Sequence, residues 1–386
     1  MLNSIKLLFN LSLFMALYPY IIYPLILWAA SFTRNIKSTE IKPDIKLTAA
    51  IIIAAHNEES LIKSKLTKTI EATSRIASIK RIVIVSDHSE DNTVEIAKSF
   101  PSVTVLDNVG QRGRASAHNF AVSKCSEEIL IFTDVETDVA EVTYSGLIEA
   151  FNDPNVGAAN PRIVYVDSNN NLMASSSGFY WKFEMKLREM ETDLGLYCTG
   201  SGPCQAIRKV CFKPLPISGD IDFTSPLDVA SQGKKCVHRN DLFAYDKIPD
   251  SDRAEYSTRI RMVAKNFTGT LSALNDILPK YPHIAFSAIS HKVIRWLTPI
   301  FMGLLLISNA CLLFEGQTVW RYIFVLQSTF YILAFIGLLL SRIGIRVPII
   351  TTIYSFVTVN LAFMNGILLA LRNKVPAYYV PTRKLK

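Results

Sequence analysis

Four apolar stretches bracket a polar middle, and this arrangement limits the folds open to the chain more than any other feature. Residues 7–30 form one run without a charge, and three more fall at roughly 293–314, 320–340 and 347–371. Each is near or above the ~20 residues that a helix needs to cross ~30 Å of hydrocarbon. Only 19% of the 386 residues are charged, against about 25% in ordinary soluble domains. Disorder and a disulfide-stapled mini-protein are therefore excluded. Residues 40–270 read instead as a water-soluble α/β domain. The expected organisation is an anchor at 1–35, a globular domain at 45–270, an interfacial segment at 271–292, membrane helices over 293–375 and a basic tail at 376–386. A cleaved leader ending near Ala29-Ala30-Ser31 is the alternative for the first run. Its length, and the positive charges that follow it, favour a retained anchor.

The formal net charge is +8. Lys6, Arg34, Lys37, Lys292, Arg295, Arg342, Arg346, Arg372 and Lys374 flank apolar stretches, as anionic headgroups and cytoplasmic loops favour. Tyr18, Tyr20, Trp28, Trp296 and Trp320 suit an interfacial belt. No stacked-aromatic or arginine-fork motif accompanies the basic residues, so no nucleic-acid partner is expected. The six cysteines (125, 198, 204, 211, 236 and 311) form no C-x-x-C pair. They read as reduced, buried thiols rather than zinc ligands.

Within the polar middle, strands and helices alternate. Leu47–Ala55 is a continuous apolar run, as expected of a central parallel strand buried on both faces. A helix over Glu58–Ala72 with Asn57 as its cap follows, then a strand at Arg81–Ser86 and a helix at Asp91–Ser99. A strand at Ser102–Leu106, a helix at Arg114–Lys124 and a strand at Glu128–Thr133 complete the pattern. Such alternation predicts a doubly wound, mostly parallel sheet, whose ligands bind outside the carboxyl ends of the strands. Those ends carry His56-Asn57-Glu58, Asp87 and Asp134-Val135-Glu136. Three strands thus deliver acidic groups to one rim.

Neither the dinucleotide G-x-G-x-x-G nor the G-x-x-x-x-G-K-[ST] phosphate loop follows the first strand. A carboxylate rim repels bare phosphate unless a divalent cation intervenes. Asp134 and Glu136, at i and i+2, suit Mg²⁺ or Mn²⁺ held on a diphosphate. Gln111-Arg112-Gly113-Arg114 opens a helix and supplies cations and amide donors to the same phosphates. The implied chemistry is transfer from a nucleoside diphosphate donor.

These residues resemble processive-type family 2 glycosyltransferases of the GT-A fold, the group that includes cellulose, chitin and hyaluronan synthases. Ile51–Glu59 (IIIAAHNEE) is similar to IIPAYNEE, and Val85–Thr93 (VSDHSEDNT) to VSDGSTDNT, with His88 in place of Gly. Arg112–Ala121 (RGRASAHNFA) resembles R-x-GKxxALNxA, with Arg114 at the Lys position, and Phe132–Thr137 (FTDVET) resembles FTDADT. The resemblance implies that Ala55, Glu58 and Asp87 hold the nucleoside, Asp87 at a base edge. It places Arg114 at the diphosphate, and Asp134 and Glu136 at the metal and donor sugar. Glu136 replaces the second Asp of D-x-D, which adds one methylene.

Thr199–Arg208 (TGSGPCQAIR) resembles GxxGAxxAIRR, whose small residues, Gly202 among them, let the acceptor approach. Ile221-Asp222-Phe223 and the residues after it resemble EDFxxxLxVxxxG. Asp222 then corresponds to the general base, with Asp220 and Asp228 as rivals, and Pro226–Gly233 forms a short supporting helix. Thr258-Arg259-Ile260-Arg261-Met262 falls where the family has Q-x-x-R-W. Arg261 is retained and is expected at the departing diphosphate, while the Gln and Trp that seat the acceptor sugar are absent. Ser290–Pro299 and Asn360–Pro381 resemble the membrane segments of the same group.

The expected protein is an integral membrane enzyme of the plasma or inner membrane with its catalytic domain in the cytoplasm. It moves a sugar, with inversion, from a nucleotide donor (a UDP-sugar) to a glycan or lipid-linked acceptor. A polyprenyl phosphate acceptor is the alternative and needs no base at Asp222. A non-catalytic membrane scaffold is the other, kept open by His56, His88, Glu136, Thr258 and Met262. One span before the domain and three after it place the basic tail opposite the domain, against the positive-inside bias. Asn266-Phe267-Thr268 fits a glycosylation pattern that a cytoplasmic site leaves unused.

Overall fold

The computed structural model describes residues 2–32, 47–166, 176–217, 219–247, 252–345 and 347–372. Arg34, Lys37, Arg346, Lys374 and the tail from 373 lie outside these. The chain starts with two apolar helices, α1 (Leu2–Leu17) and α2 (Tyr23–Ser31), joined by a π-helical turn at Tyr18–Ile22. Pro19 and Pro24 fall at this join. Each removes a backbone donor and crowds the preceding turn, which is a sufficient cause of the widened turn.

The core of the globular part is β1 (Ala49–Ala55), in which every residue except Ala54 is buried. Its side chains alternate. Ala49, Ile51, Ile53 and Ala55 face one apolar cluster, together with Ile62, Leu66, Tyr144 and Leu147. Ala50 and Ile52 face the other, with Ala117, Ala121 and Phe132. Burial of each such isoleucine contributes about 1.5–3 kcal/mol relative to exposure. After β1 come α3 (Ile62–Thr73), β2 (Ile79–Ser86), α4 (Thr93–Lys98), β3 (Val103–Asp107), α5 (Arg114–Lys124) and β4 (Ile129–Thr133). β1 pairs in parallel with β2 and β4, and β2 with β3. One boundary differs from the sequence expectation. Asn57 does not cap a helix: it takes a left-handed backbone (φ 56°), and α3 begins only at Ile62. The Asn57 side chain instead accepts from the Glu90 amide at 2.8 Å, tying the loop after β1 to the loop after β2.

The second half departs from a purely parallel winding. It runs through β5 (Asp138–Val139), α6 (Glu141–Glu149), β6 (Val156–Val166), α7 (Ser176–Asp193), β7 (Cys204–Arg208), α8 (Thr224–Ser231) and β8 (Lys235–Lys247). The sheet has eight strands in the order β3-β2-β1-β4-β7-β6-β8-β5. β7 is antiparallel to both β4 and β6, so the start of β7 meets the end of β4. That reversal brings the loop before β7 to the rim at the end of β4. The fold is the mixed GT-A sheet with helices on both faces.

Next come α9 (Asp252–Ile277), α10 (Pro282–Ala288), a second π-helical turn at Ile289–Val293, α11 (Ile294–Leu312), α12 (Thr318–Arg342) and α13 (Pro348–Leu371). Four helical stretches are long and apolar enough to cross a membrane: Leu2–Ser31, Pro282–Glu315, Thr318–Arg342 and Pro348–Leu371. The first packs antiparallel to the second. Lys6 pairs with Glu315 near one end, and Tyr18 and Tyr23 bond Ser290 and Ser287 toward the other. α9 runs unbroken through 270–271 and lies on α13. A Cβ on Gly366 would stand 2.7 Å from Val263 Cβ and 2.8 Å from the Ile260 carbonyl, so only glycine permits this approach. Asn266 is buried on α9 and presents no glycosylation site.

Candidate active site

The rim formed by the ends of β1, β2 and β4 carries the first group of expected residues. Asp87 follows β2 directly, and its amide donates to the Ala55 carbonyl at 2.8 Å. Its carboxylate accepts from the Gly113 amide at 2.9 and 3.0 Å and from Asn108 Nδ2 at 3.0 Å. The next residue, Arg114, forms an ion pair with Asp134. Two neighbours at the start of α5 therefore link the β2 end to the β4 end. Glu58 sits in the loop after β1, its amide donating to Thr93 Oγ1 at 2.7 Å, and Glu136 is half-buried just past Asp134. His56 Nδ1 donates to the Asp87 carbonyl at 2.8 Å, and Arg112 donates to His56 Nε2 at 2.6 Å. His88, where the family motif has Gly, has a φ of 59°, the left-handed conformation that glycine adopts freely.

The β7 reversal supplies the other side. The Asp134 amide donates to the Pro203 carbonyl at 3.1 Å, and Arg114 also donates to the Gly202 carbonyl at 3.3 Å. Burial lowers the Arg114 pKa, but Asp134, Asp220, Asp222 and Asp246 outweigh it and raise the pKa overall. Arg114 thus stands among four carboxylates. Asp222 is pushed up to about 6 by burial and by the like charge of Asp220. Asp246, near the end of β8, is pushed up to about 7 by burial and by Asp134, and accepts from Thr137 Oγ1 at 3.2 Å.

Asp222 is held by its main chain. Gly200 N donates to the Asp222 carbonyl at 2.7 Å, and Gln205 Nε2 donates to the Ile221 carbonyl at 2.9 Å. A Cβ on Gly200 would lie 1.7 Å from Gln205 Oε1 and 2.7 Å from the Asp222 carbonyl. Gly200→Ala is therefore expected to lower stability by about 1–3 kcal/mol, the range for overpacking, and to lower sugar transfer with it. Thermal unfolding and a transfer assay check this; an alanine variant with the parent melting temperature would contradict it. The rivals are placed differently. Asp220 lies 3.4 Å from Lys265 Nζ. Asp228 is on α8 and lies 3.7 Å from Lys213 Nζ.

Asp222 opens onto a cavity of about 70 Å³ where the sheet meets the long apolar helices. Thr199, Gly200, Phe223, Met262, Trp296 and Phe363 line it together with Arg188, Arg259, Lys292 and Arg295. Arg259 reaches this wall, whereas Arg261 is half-buried elsewhere on α9. The flanking-charge reading of Lys292 and Arg295 needs correction. Both are buried and bond Glu184 at 3.0 and 2.7 Å. Arg188 joins them at 3.0 Å, and the His291 ring nitrogens lie 3.1 Å from Glu184 and 3.0 Å from Glu191. Burial would raise the Glu184 pKa, but Arg295, Lys292, His291 and Arg188 hold it well below the usual carboxylate range. Charges in low dielectric persist only in such paired sets. Trp296 and Tyr18, expected in an interfacial belt, are likewise buried.

Lys65 was not singled out in the sequence. It is buried on α3 and its ammonium donates to Thr133 Oγ1 at 3.1 Å and to the Thr137 carbonyl, bracing the loop that carries Asp134 and Glu136. Its place in the buried series Ile62, Lys65, Leu66, Thr69, Thr73 was a usable signal. The Glu184–Arg188 pair offered none, since charges four residues apart on a helix usually mark a solvated face.

The acidic rim at the strand ends is thus flanked by the Gly113-Arg114 turn on one side and by the loop through Gly200 and Pro203 on the other. Residues 50–215, somewhat under half of the chain, match the family model described as glycosyl transferase family 2. The chain is 32% identical over 143 residues to the poly-beta-1,6-N-acetyl-D-glucosamine synthase of Staphylococcus aureus strain COL, a match covering 34% of each chain. The Staphylococcus epidermidis protein of the same name is 29% identical over 120 residues, covering 30% of this chain and 28% of that one. The matched stretch thus spans about a third of the length of these curated relatives. Among solved structures, a mannosyltransferase from Pyrobaculum calidifontis in complex with GDP-Man and Mn²⁺ superposes with a TM-score of 0.69. It is 18% identical, and the match covers 95% of this chain and 99% of that one, which establishes a shared fold.

Proposed function

We propose that the chain is an inverting transferase that moves a sugar from a nucleoside diphosphate donor, a UDP-sugar, onto a hydroxyl of a lipid-linked or glycan acceptor at a membrane surface. The observation that carries this reading is the gathering of Asp134 and Asp222 around Arg114, with Asp222 also facing the membrane-side cavity. Donor and acceptor halves meet at one point. The catalytic domain faces the cytoplasm, where nucleotide sugars are made.

Among the described residues, no three His, Cys, Asp or Glu side chains are gathered as they would be for a cation held by protein alone. Two carboxylates plus substrate phosphates are a normal ligand set for Mg²⁺ or Mn²⁺, and Asp134 and Glu136 fit that pattern. Bound there, the cation would offset charge developing on the leaving diphosphate. The protein's own residues do the rest. Arg112 presents a cation to the donor phosphates, while the Gly113 amide holds the Asp87 carboxylate, which offers its remaining lone pairs to the base. Arg114 balances charge between Asp134 and the departing diphosphate. Asp222 accepts the proton of the acceptor hydroxyl as its oxygen bonds to the anomeric carbon and the bond from that carbon to the diphosphate oxygen breaks.

The test is a panel of nucleotide sugars with the purified full chain in a membrane mimetic, following nucleoside diphosphate release with Mn²⁺ or Mg²⁺. Release with one donor class, lost on chelation with EDTA, is the expected result. Full activity in excess EDTA removes the metal assignment. Absence of both nucleotide binding and turnover across the panel overturns the reading in favour of a scaffold.

A further inference from the structure

The cavity beside Asp222 has a composition that a neutral sugar chain does not call for. Four cationic side chains, Arg188, Arg259, Lys292 and Arg295, share its wall with one carboxylate, Asp222. Glu184 lies behind them and bonds three of the four. The rest of the wall is largely apolar: Phe223, Met262, Trp296 and Phe363. Trp296 and Phe363 belong to α11 and α13, within two of the membrane-crossing candidates. Met262 gives this wall a flexible thioether. Arg188 also donates to the Gly200 carbonyl and to Ser201 Oγ, both at 3.1 Å. One guanidinium thus touches the loop that fixes Asp222 and faces the same cavity.

We infer that the acceptor is an anionic amphiphile, with a phosphate seated against Arg188, Arg259, Lys292 and Arg295 and a nearby hydroxyl presented to Asp222. Charge-assisted, multidentate contact is the strong mode for phosphate, and the apolar wall leads toward the membrane helices that would house the acyl chains. Two-point recognition also orients the hydroxyl, so the nucleophile is selected by its distance from the phosphate. The inference rests on the transferase reading above and names its acceptor class.

The full chain in phosphatidylcholine nanodiscs, with the donor chosen by the nucleotide-sugar panel, is offered four probes. Phosphatidylglycerol carries phosphate and hydroxyl, diacylglycerol only the hydroxyl, phosphatidic acid only the phosphate, and glycerol 3-phosphate both without a lipid. Sugar incorporation is expected into phosphatidylglycerol, about tenfold or more above diacylglycerol, the scale of one charge-assisted hydrogen bond. Glycerol 3-phosphate as an equal acceptor would assign the phosphate to a soluble substrate and overturn the lipid part. Arg259→Gln, at a half-exposed position, should shrink the preference about tenfold. Lys292→Gln should do the same and Lys292→Arg should restore it, with melting temperatures reporting folding. Equal transfer to diacylglycerol and phosphatidylglycerol, or a preference untouched in folded Arg259→Gln, overturns the inference. Transfer to phosphatidic acid alone makes the phosphate itself the nucleophile and also overturns it. Donor hydrolysis without transfer to any probe sinks the inference but leaves the transferase reading standing; absence of nucleotide turnover sinks the reading beneath it.

Discussion

Asp134→Asn is expected to lower nucleoside diphosphate release by roughly 10²–10³-fold, the scale for removing one preorganised electrostatic contact to a leaving group. Asparagine keeps the size of the side chain and can still accept from Arg114, but it no longer supplies the charge that a divalent cation on the diphosphate requires. The fold should survive, because Arg114 also faces Asp220, Asp222 and Asp246 and so stays compensated after the loss. The melting temperature should therefore move by no more than a few degrees while turnover collapses. Raising the metal concentration should recover part of the loss if the carboxylate acts through cation affinity. Near-parental turnover in the variant would remove Asp134 from the donor site. A matching collapse of turnover and melting temperature would make it a structural ion-pair partner instead.

How far residues announced this arrangement depends on the kind of signal each one carries. β1 was legible because a strand buried on both faces must be an unbroken apolar run, and Ala49–Ala55 is one. Asp87 and Asp134 were legible because a carboxylate ending such a run has few structural reasons to be there. The antiparallel insertion of β7 was not, since strand direction leaves no mark on a five-residue segment. Asp246 was hidden for the same reason: β8 shows an ordinary alternation, and only its parallel pairing with β6 and the β5 contact carry Asp246 back to the rim. Lys292 and Arg295 were misread because charges beside an apolar run normally face headgroups. Here the π-helical turn at Ile289–Val293 ends where they stand, and both point inward to Glu184. Widened turns of this kind recur at functional sites.

Asp222→Asn tests the acceptor half, and it should lower sugar transfer by roughly 100-fold or more, the usual contribution of a positioned general base. Nucleotide affinity should change little, since among the described residues no hydrogen bond ties the Asp222 side chain to the Asp87 or Gly113 end of the rim. A pH profile adds a second readout. An ordinary aspartate would keep its base form down to about pH 4, but burial and Asp220 push Asp222 up to about 6. The proton acceptor is the ionised form, so kcat/KM should be flat above pH 6 and fall about tenfold per unit below it. Asp220→Asn removes the like charge and should shift that acid limb to lower pH. Asp228→Asn, on α8 beside Lys213, should leave the limb in place. In Asp222→Asn the limb at pH 6 should vanish along with most of the rate. An unchanged limb in that variant would assign the titration to another group. Normal transfer by Asp222→Asn would mean that the acceptor arrives already ionised, with its phosphate rather than a hydroxyl as the attacking group.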